Sequence, residues 1–164
     1  MHVSARADYA VRALVEIGAA RGQALKREQI ATAQHIPIKF LGNILQQLRM
    51  AGLVHTQRGA DGGYLLAAPP ERITLADVIR AVDGPLANVR GEPPEDVTYE
   101  GSAVALQEVW VAVRASLRNV LEQVTLRDVA SSRLPAVVRE LSANPQAWHA
   151  SNHVQAKEPT VQSL

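Results

Sequence analysis

Six residues, Arg58-Gly59-Ala60-Asp61-Gly62-Gly63, restrict the fold of this chain more than any other stretch. Glycine is disfavoured inside helices and strands, so the segment suits neither element. Asp61-Gly62 is a strong hairpin turn signal. On one side Val54 to Gln57 reads as a strand, and on the other Tyr64 to Ala67 reads as its return. Pro69-Pro70 closes the unit.

What precedes this hairpin is helical. Ala10, Ala13, Leu14 and Ile17 share one helical face, with Tyr9 beside it, Ser4 as the cap and Gly22 as the stop. A second helix fits Arg27 to about Gln34 with Ile30 and Ala31 inward, although no Ser, Thr or Asp caps its start. Proline is tolerated in a first helical turn. A third helix therefore runs from Pro37 to about Ala51, striped by Leu41, Ile44, Leu45 and Leu48 and ended by Gly52.

After the hairpin, Thr74 and Asp77 have capping-box spacing ahead of Val78, Ile79 and Val82, and Gly84-Pro85 stops that helix. Residues 86–101 read as a linker with Pro93-Pro94 and several acids. Then Leu106, Val109, Trp110, Val113, Leu117, Val120, Leu121 and Val124 advance by three and four, predicting a long amphipathic helix from about Ser102 to Thr125. Thr125 and Asp128 look like the cap of a short helix, and Pro135 to Ala143 predicts another. Residues 149–164 are polar and aperiodic, which predicts a disordered tail. No internal repeat is evident.

The 164 residues suit one small domain with an appendage, and an apolar fraction of 47% is ample for a core. A net charge of +1 does not announce a polyanion partner, but its distribution is uneven. Between residues 26 and 58, Lys26, Arg27, Lys39, Arg49 and Arg58 are offset only by Glu28, whereas Glu92, Glu95, Asp96 and Glu100 gather later. Local charge, not the sum, steers a protein to phosphate. The absence of cysteine excludes disulfides, thiol catalysis and thiolate-bound zinc or iron–sulfur clusters. With no secretory signal and no run of about 20 apolar residues, the expectation is a cytoplasmic protein without a membrane span.

Three helices followed by a glycine-rich hairpin is the order of a winged helix-turn-helix. The predicted fold class is mainly α with a small β-wing, a winged helix-turn-helix plus a long dimerisation helix. Its second paired helix lies in the major groove with its first turns at base edges. Here those turns offer Lys39, Asn43, Gln46 and Gln47, with Arg49 further along. Amides read adenine bidentately, and Lys or Arg meet guanine or phosphate. Gly59, Gly62 and Gly63 permit a close backbone approach to the sugar-phosphate chain, beside Arg58 at the wing base and Tyr64. A solvated polar helix face or an ordinary hairpin would explain either feature alone; their order argues for the pair.

Asp8 to Leu14, Leu41 to Leu48, Ala51-Gly52-Leu53-Val54, Arg58-Gly59, Gly62 to Leu66 and Ile73 to Ile79 resemble the Rrf2 family of bacterial transcription regulators, which includes the IscR, NsrR and CymR types. The resemblance is specific over residues 1–85; past that it rests on layout. It implies a DNA-binding domain at 1–85, a linker loop at 86–101, and a dimerisation helix with C-terminal helices at 102–148. It also implies a homodimer on a palindromic operator of double-stranded DNA, acting as a repressor or activator under an effector. Cluster-binding members carry three cysteines in the loop before the long helix, and here Asn88 to Gly101 has none. Asp8 matches a ligand position in some members and, without thiolates, reads as a surface or capping acid. Gly42 stands where many members place Glu, which alters the reading helix.

No cofactor, metal or catalytic site is expected. Gly59 to Gly63 lacks the lysine and hydroxyl residue of a P-loop. His149 and His153 have metal-pair spacing only if the tail is helical. The remaining rival is a protein-interaction module acting on a metabolic enzyme complex. A cysteine-free loop favours a small-molecule effector or a protein partner over redox sensing.

Overall fold

The computed structural model describes residues 3–149. Apart from His149, the expected disordered tail, including the partner histidine His153, falls outside them. Helix α1 spans Ala5–Ala19, α2 Arg27–Gln34 and α3 Ile38–Met50. Strands β1 (Val54–Gln57) and β2 (Gly63–Leu66) form the hairpin, followed by α4 (Leu75–Asp83), α5 (Leu106–Leu121), α6 (Leu126–Ser131) and α7 (Ala136–Ser142). This is the mainly helical architecture with a small antiparallel wing that the pattern predicts.

The caps explain most boundaries. Ser4 Oγ accepts the Ala7 N–H at 2.9 Å and starts α1. At α2 the Gln29 carboxamide oxygen accepts the Lys26 N–H at 2.8 Å, so the helix begins without a short polar cap residue. His35 ends it in the left-handed region at φ 51°. Pro37 opens α3, as its preset φ allows.

Helix α1 is the hub. Ala7, Ala10 and Ala13 are at most 1% exposed. These methyl side chains let α2, α3, α4, α6 and β2 all approach one helix closely. Leu14, Ile30, Leu41, Leu45, Leu48, Val78 and Leu126 fill the spaces between them. Each buried large side chain contributes about 1.5–3 kcal/mol.

The hairpin pairs Val54 with Leu66 and Gln57 with Gly63. Its loop is Arg58–Gly62, and Gly62 N–H donates to Gly59 O at 3.0 Å. Ala60 and Asp61 therefore form the corner, not Asp61-Gly62, and the return strand begins at Gly63 rather than Tyr64. A third segment joins the sheet. Leu25 N–H donates to Tyr64 O at 3.1 Å, and Tyr64 N–H returns to Leu25 O at 2.8 Å.

Helices α4 and α6 start alike. Thr74 and Asp77 form one capping box, Thr125 and Asp128 the other. The two starts pair directly: Leu75 N–H donates to Val124 O at 2.9 Å, and Leu126 N–H to Ile73 O at 3.0 Å. The two starts share the short pattern Thr-Leu-x-Asp-Val, at 74–78 and 125–129.

The long helix begins at Leu106, one turn later than predicted, because Gly101–Ala103 forms a separate 3-10 turn. Residues 86–101 are packed rather than slack: Leu86, Pro94 and Val97 are buried. Val124 lies beyond α5, 3% exposed, held in the α4–α6 junction and absent from any free stripe.

A Cβ added at Gly63 would sit 2.5 Å from Leu25 O and 2.6 Å from Leu25 C, against backbone that cannot rotate away. Gly63→Ala should destabilise the fold by about 1–3 kcal/mol through this overpacking. Urea denaturation checks it; an unchanged midpoint would mean that the Leu25–Tyr64 bridge is dispensable.

Candidate nucleic-acid interface

Burial of Leu41, Ile44, Leu45 and Leu48 sets the rotation of α3. At about 100° per residue, Lys39, Asn43, Gln46 and Met50 then fall opposite the core, and all four are exposed. Arg49 is exposed on the last turn of α3, where a cation complements the helix dipole. Gln47 departs from the expected reading set. It is half-buried, and its Oε1 has no solvent exposure and no hydrogen-bond partner among the described residues. It lines a groove of about 690 Å³ between α3 and the start of α1, which Arg6, Tyr9 and Phe40 share with the outward Asn43, Gln46 and Met50.

That groove was not legible from the sequence. Phe40 is 60% exposed and Met50 79%, both on a helix whose apolar residues are expected to be inward. Tyr9 stacks with the Arg12 guanidinium, 5.5 Å from its ring centroid. The proximity of Tyr9 to Phe40 follows only from how α1 crosses α3.

Gly42 has ordinary helical geometry, and an added Cβ would meet only the flexible Arg27 guanidinium at 3.5 Å. Folding does not require glycine there. Its absent side chain leaves the flank of α3 open between Lys39 and Gln46.

The wing presents an exposed Arg58 at the end of β1. Gly59 adopts φ 108°, a conformation open to few other residues. Gly62 and Gly63 have intramolecular reasons instead. A Cβ at Gly62 would lie 2.5 Å from Gln57 O, and Gly63 abuts Leu25. Tyr64 packs against the core as a partly buried residue, which limits the surface it offers outward. Among the described residues, Lys39, Arg49 and Arg58 form no ion pair, whereas Arg6 is bound to Asp83 and Arg27 to Glu28. Free cations on α3 and the wing, flanking outward amides, suit a phosphate backbone with base edges between.

A cluster or iron site does not fit the residues present. Asp8 is engaged by Arg12 at 3.0 Å, one helical turn away. The loop before α5 offers carboxylates but no thiol, and Glu95 within it is bound by Arg114. Among the described residues, no three His, Asp or Glu side chains converge in a way that could hold a metal ion. No described helix is long and apolar enough to cross a membrane.

Three packed helices, an outward polar face on the third and a glycine-turned hairpin beside it define a winged helix-turn-helix DNA-binding regulator. Residues 3–132 match the Rrf2 family profile, described as an iron-dependent transcriptional regulator, and the chain belongs to that family. It is 47% identical over 154 residues to a Mycobacterium tuberculosis protein named as an HTH-type transcriptional regulator, covering 93% of this chain and 96% of that one. It is 32% identical over 132 residues to the HTH-type transcriptional regulator CymR of Bacillus subtilis, covering 80% and 91%. The solved structure of CymR, titled the global cysteine regulator of B. subtilis, superposes with a TM-score of 0.68 at 30% identity over 80% of this chain and 98% of that one. IscR of T. potens superposes at 0.65, also 30% identical, over 80% and 88%. The family consists of transcription regulators, not enzymes.

Replacing Gly42 by alanine should stabilise the protein by up to about 1 kcal/mol, since helical glycine costs that much and the site has room. Thermal and urea melts read the gain. A loss would mean that α3 is packed more tightly on that flank than the 3.5 Å approach of Arg27 allows.

Proposed function

We propose that the protein is a homodimeric repressor that binds a palindromic operator through α3 and the wing, and that its occupancy is gated by a small molecule or a protein partner. The outward set Lys39, Asn43 and Gln46 on a helix whose rotation the core dictates carries the DNA reading. Lys39 and Arg58 engage phosphate, Asn43 and Gln46 engage base edges, and Gly59 lets the wing tip approach the duplex.

Dimerisation is supported by α5. Its 16 residues include none that is buried, although the helix is amphipathic. One edge of the stripe is occupied within the subunit, since Leu117 and Leu121 face Ile79 of α4 across a shared cavity. The other edge contains Val109, which is 50% exposed, with Val113 and Val120 on the same face. Pairing two such edges about a two-fold axis buries them and sets two reading helices about 34 Å apart, one turn of DNA. Gating by an iron–sulfur cluster is set aside because the chain lacks thiolates.

Three measurements follow from this reading. Val109→Glu should sediment as a monomer with its helix content kept, because Val109 is open in the subunit; an undiminished dimer at micromolar concentration would put the interface elsewhere. Arg58→Ala should weaken binding to operator and scrambled duplex alike and lower the salt slope by about one unit. Asn43→Ala should cost about 1–3 kcal/mol on the operator, leave non-specific binding nearly unchanged and relax one base position. Equal weakening of both duplexes by Asn43→Ala would contradict the placement of α3 in the major groove.

A further inference from the structure

Three guanidiniums converge away from the DNA-binding face. Arg114 and Arg118 are one turn apart on α5, so they share a face, and Arg80 reaches them from α4. They border a cavity of about 420 Å³ whose apolar wall is Pro85 and Leu86. Two carboxylates stand among them. Glu122 is held by both Arg80 and Arg118, the latter at 2.9 Å. Glu95 comes from the loop before α5 and is bound by Arg114. Asp77 lies 3.9 Å from Arg80 but serves the α4 capping box with Thr74.

The Glu95 carboxylate is the more weakly seated member. Its side chain is 53% exposed, while that of Arg114 is 20% exposed, so the anion covers the cation from the solvent side. Its backbone does not depend on that contact. Pro94 beside it is buried, and Gln107 Nε2 donates to Glu95 O at 2.9 Å. The carboxylate can therefore swing out while the loop stays in place. Hydrogen bonding from Arg114 lowers the Glu95 pKa, so the group is ionised at neutral pH.

We propose that the Arg80–Arg114–Arg118 cavity is a binding site for a short-chain dicarboxylate, which displaces the Glu95 carboxylate and links α4 to α5. With the Glu95 carboxylate swung out, three cations face Glu122 and the more distant Asp77, which leaves a net positive site for an incoming anion. Guanidinium forks match carboxylates in bidentate geometry, and Pro85 and Leu86 accommodate a short methylene spacer. The role as an effector rests on the DNA-binding reading above; the binding site itself does not. Arg80 belongs to a helix packed on the hub α1, and Arg114 to the helix proposed to pair the subunits, so a bridging anion acts between reading head and dimer axis.

Calorimetric titration with glutarate, against inorganic phosphate and sodium chloride at matched ionic strength, tests the site on the full chain. Wild-type protein should bind glutarate saturably and in preference to phosphate. Glu95→Gln should bind it at least about tenfold more tightly, because the internal competitor is gone. Arg114→Gln should lose binding; if it unfolds by circular dichroism, Arg118→Gln takes its place. A purely structural ion pair predicts the opposite for Glu95→Gln: lower stability and no added affinity. The proposal is overturned if neither wild-type protein nor Glu95→Gln binds glutarate, if the substitution leaves affinity unchanged, or if phosphate binds as well. Operator titration with and without glutarate then reads the effector role, which fails if glutarate binds and operator affinity does not move. Failure of operator binding in every condition would instead count against the DNA-binding reading.

Discussion

The packing of α3 against α1 is the contact on which the rest of the interface depends. Leu41, Ile44, Leu45 and Leu48 are all 2% exposed or less. Their burial leaves α3 no rotational freedom, so the residues facing outward are set by the core and not by the surface. A slip of one residue would turn the helix by about 100° and exchange Asn43 for Ile44 at the reading surface. On the proposed reading, stability and specificity therefore share one contact.

The wing is tied to the same body by a short backbone bridge. Leu25 precedes α2 and pairs with Tyr64 at the start of β2, and Gly63 makes that approach possible. A second tie runs from the far end of the chain. After α5, the segment from Val124 returns to the α4 start, and Leu126 enters the core cluster around α1. The chain leaves the winged unit to build α5 and then comes back to it. Motion at α4 or α5 thus has a direct mechanical route to the body that carries α3.

Much of this was legible because local rules acted without competition. Ser4, Thr74 and Thr125 caps, the Pro37 start and the apolar stripe of α3 each specify a boundary through neighbours a few residues away. What stayed hidden depends on partners distant in the chain. Gly63 reads as a residue for DNA approach until Leu25 is seen beside it. Gln47 reads as an outward amide until the α1–α3 crossing turns it inward. Val124 continues the spacing of α5, but the pairing of the α4 and α6 starts takes it into the interior. The ion pairs of Arg80 with Glu122 and of Arg114 with Glu95 join elements whose crossing no periodicity encodes.

The unburied stripe of α5 and the outward amides of α3 make one joint claim, that two copies read one duplex together. A hydroxyl-radical footprint on a bound promoter fragment tests it most directly. The account predicts two protected patches related by a dyad, centred about one helical turn or a whole multiple of it apart on one face of the DNA. A single unpaired patch, or two patches on opposite faces, would contradict it.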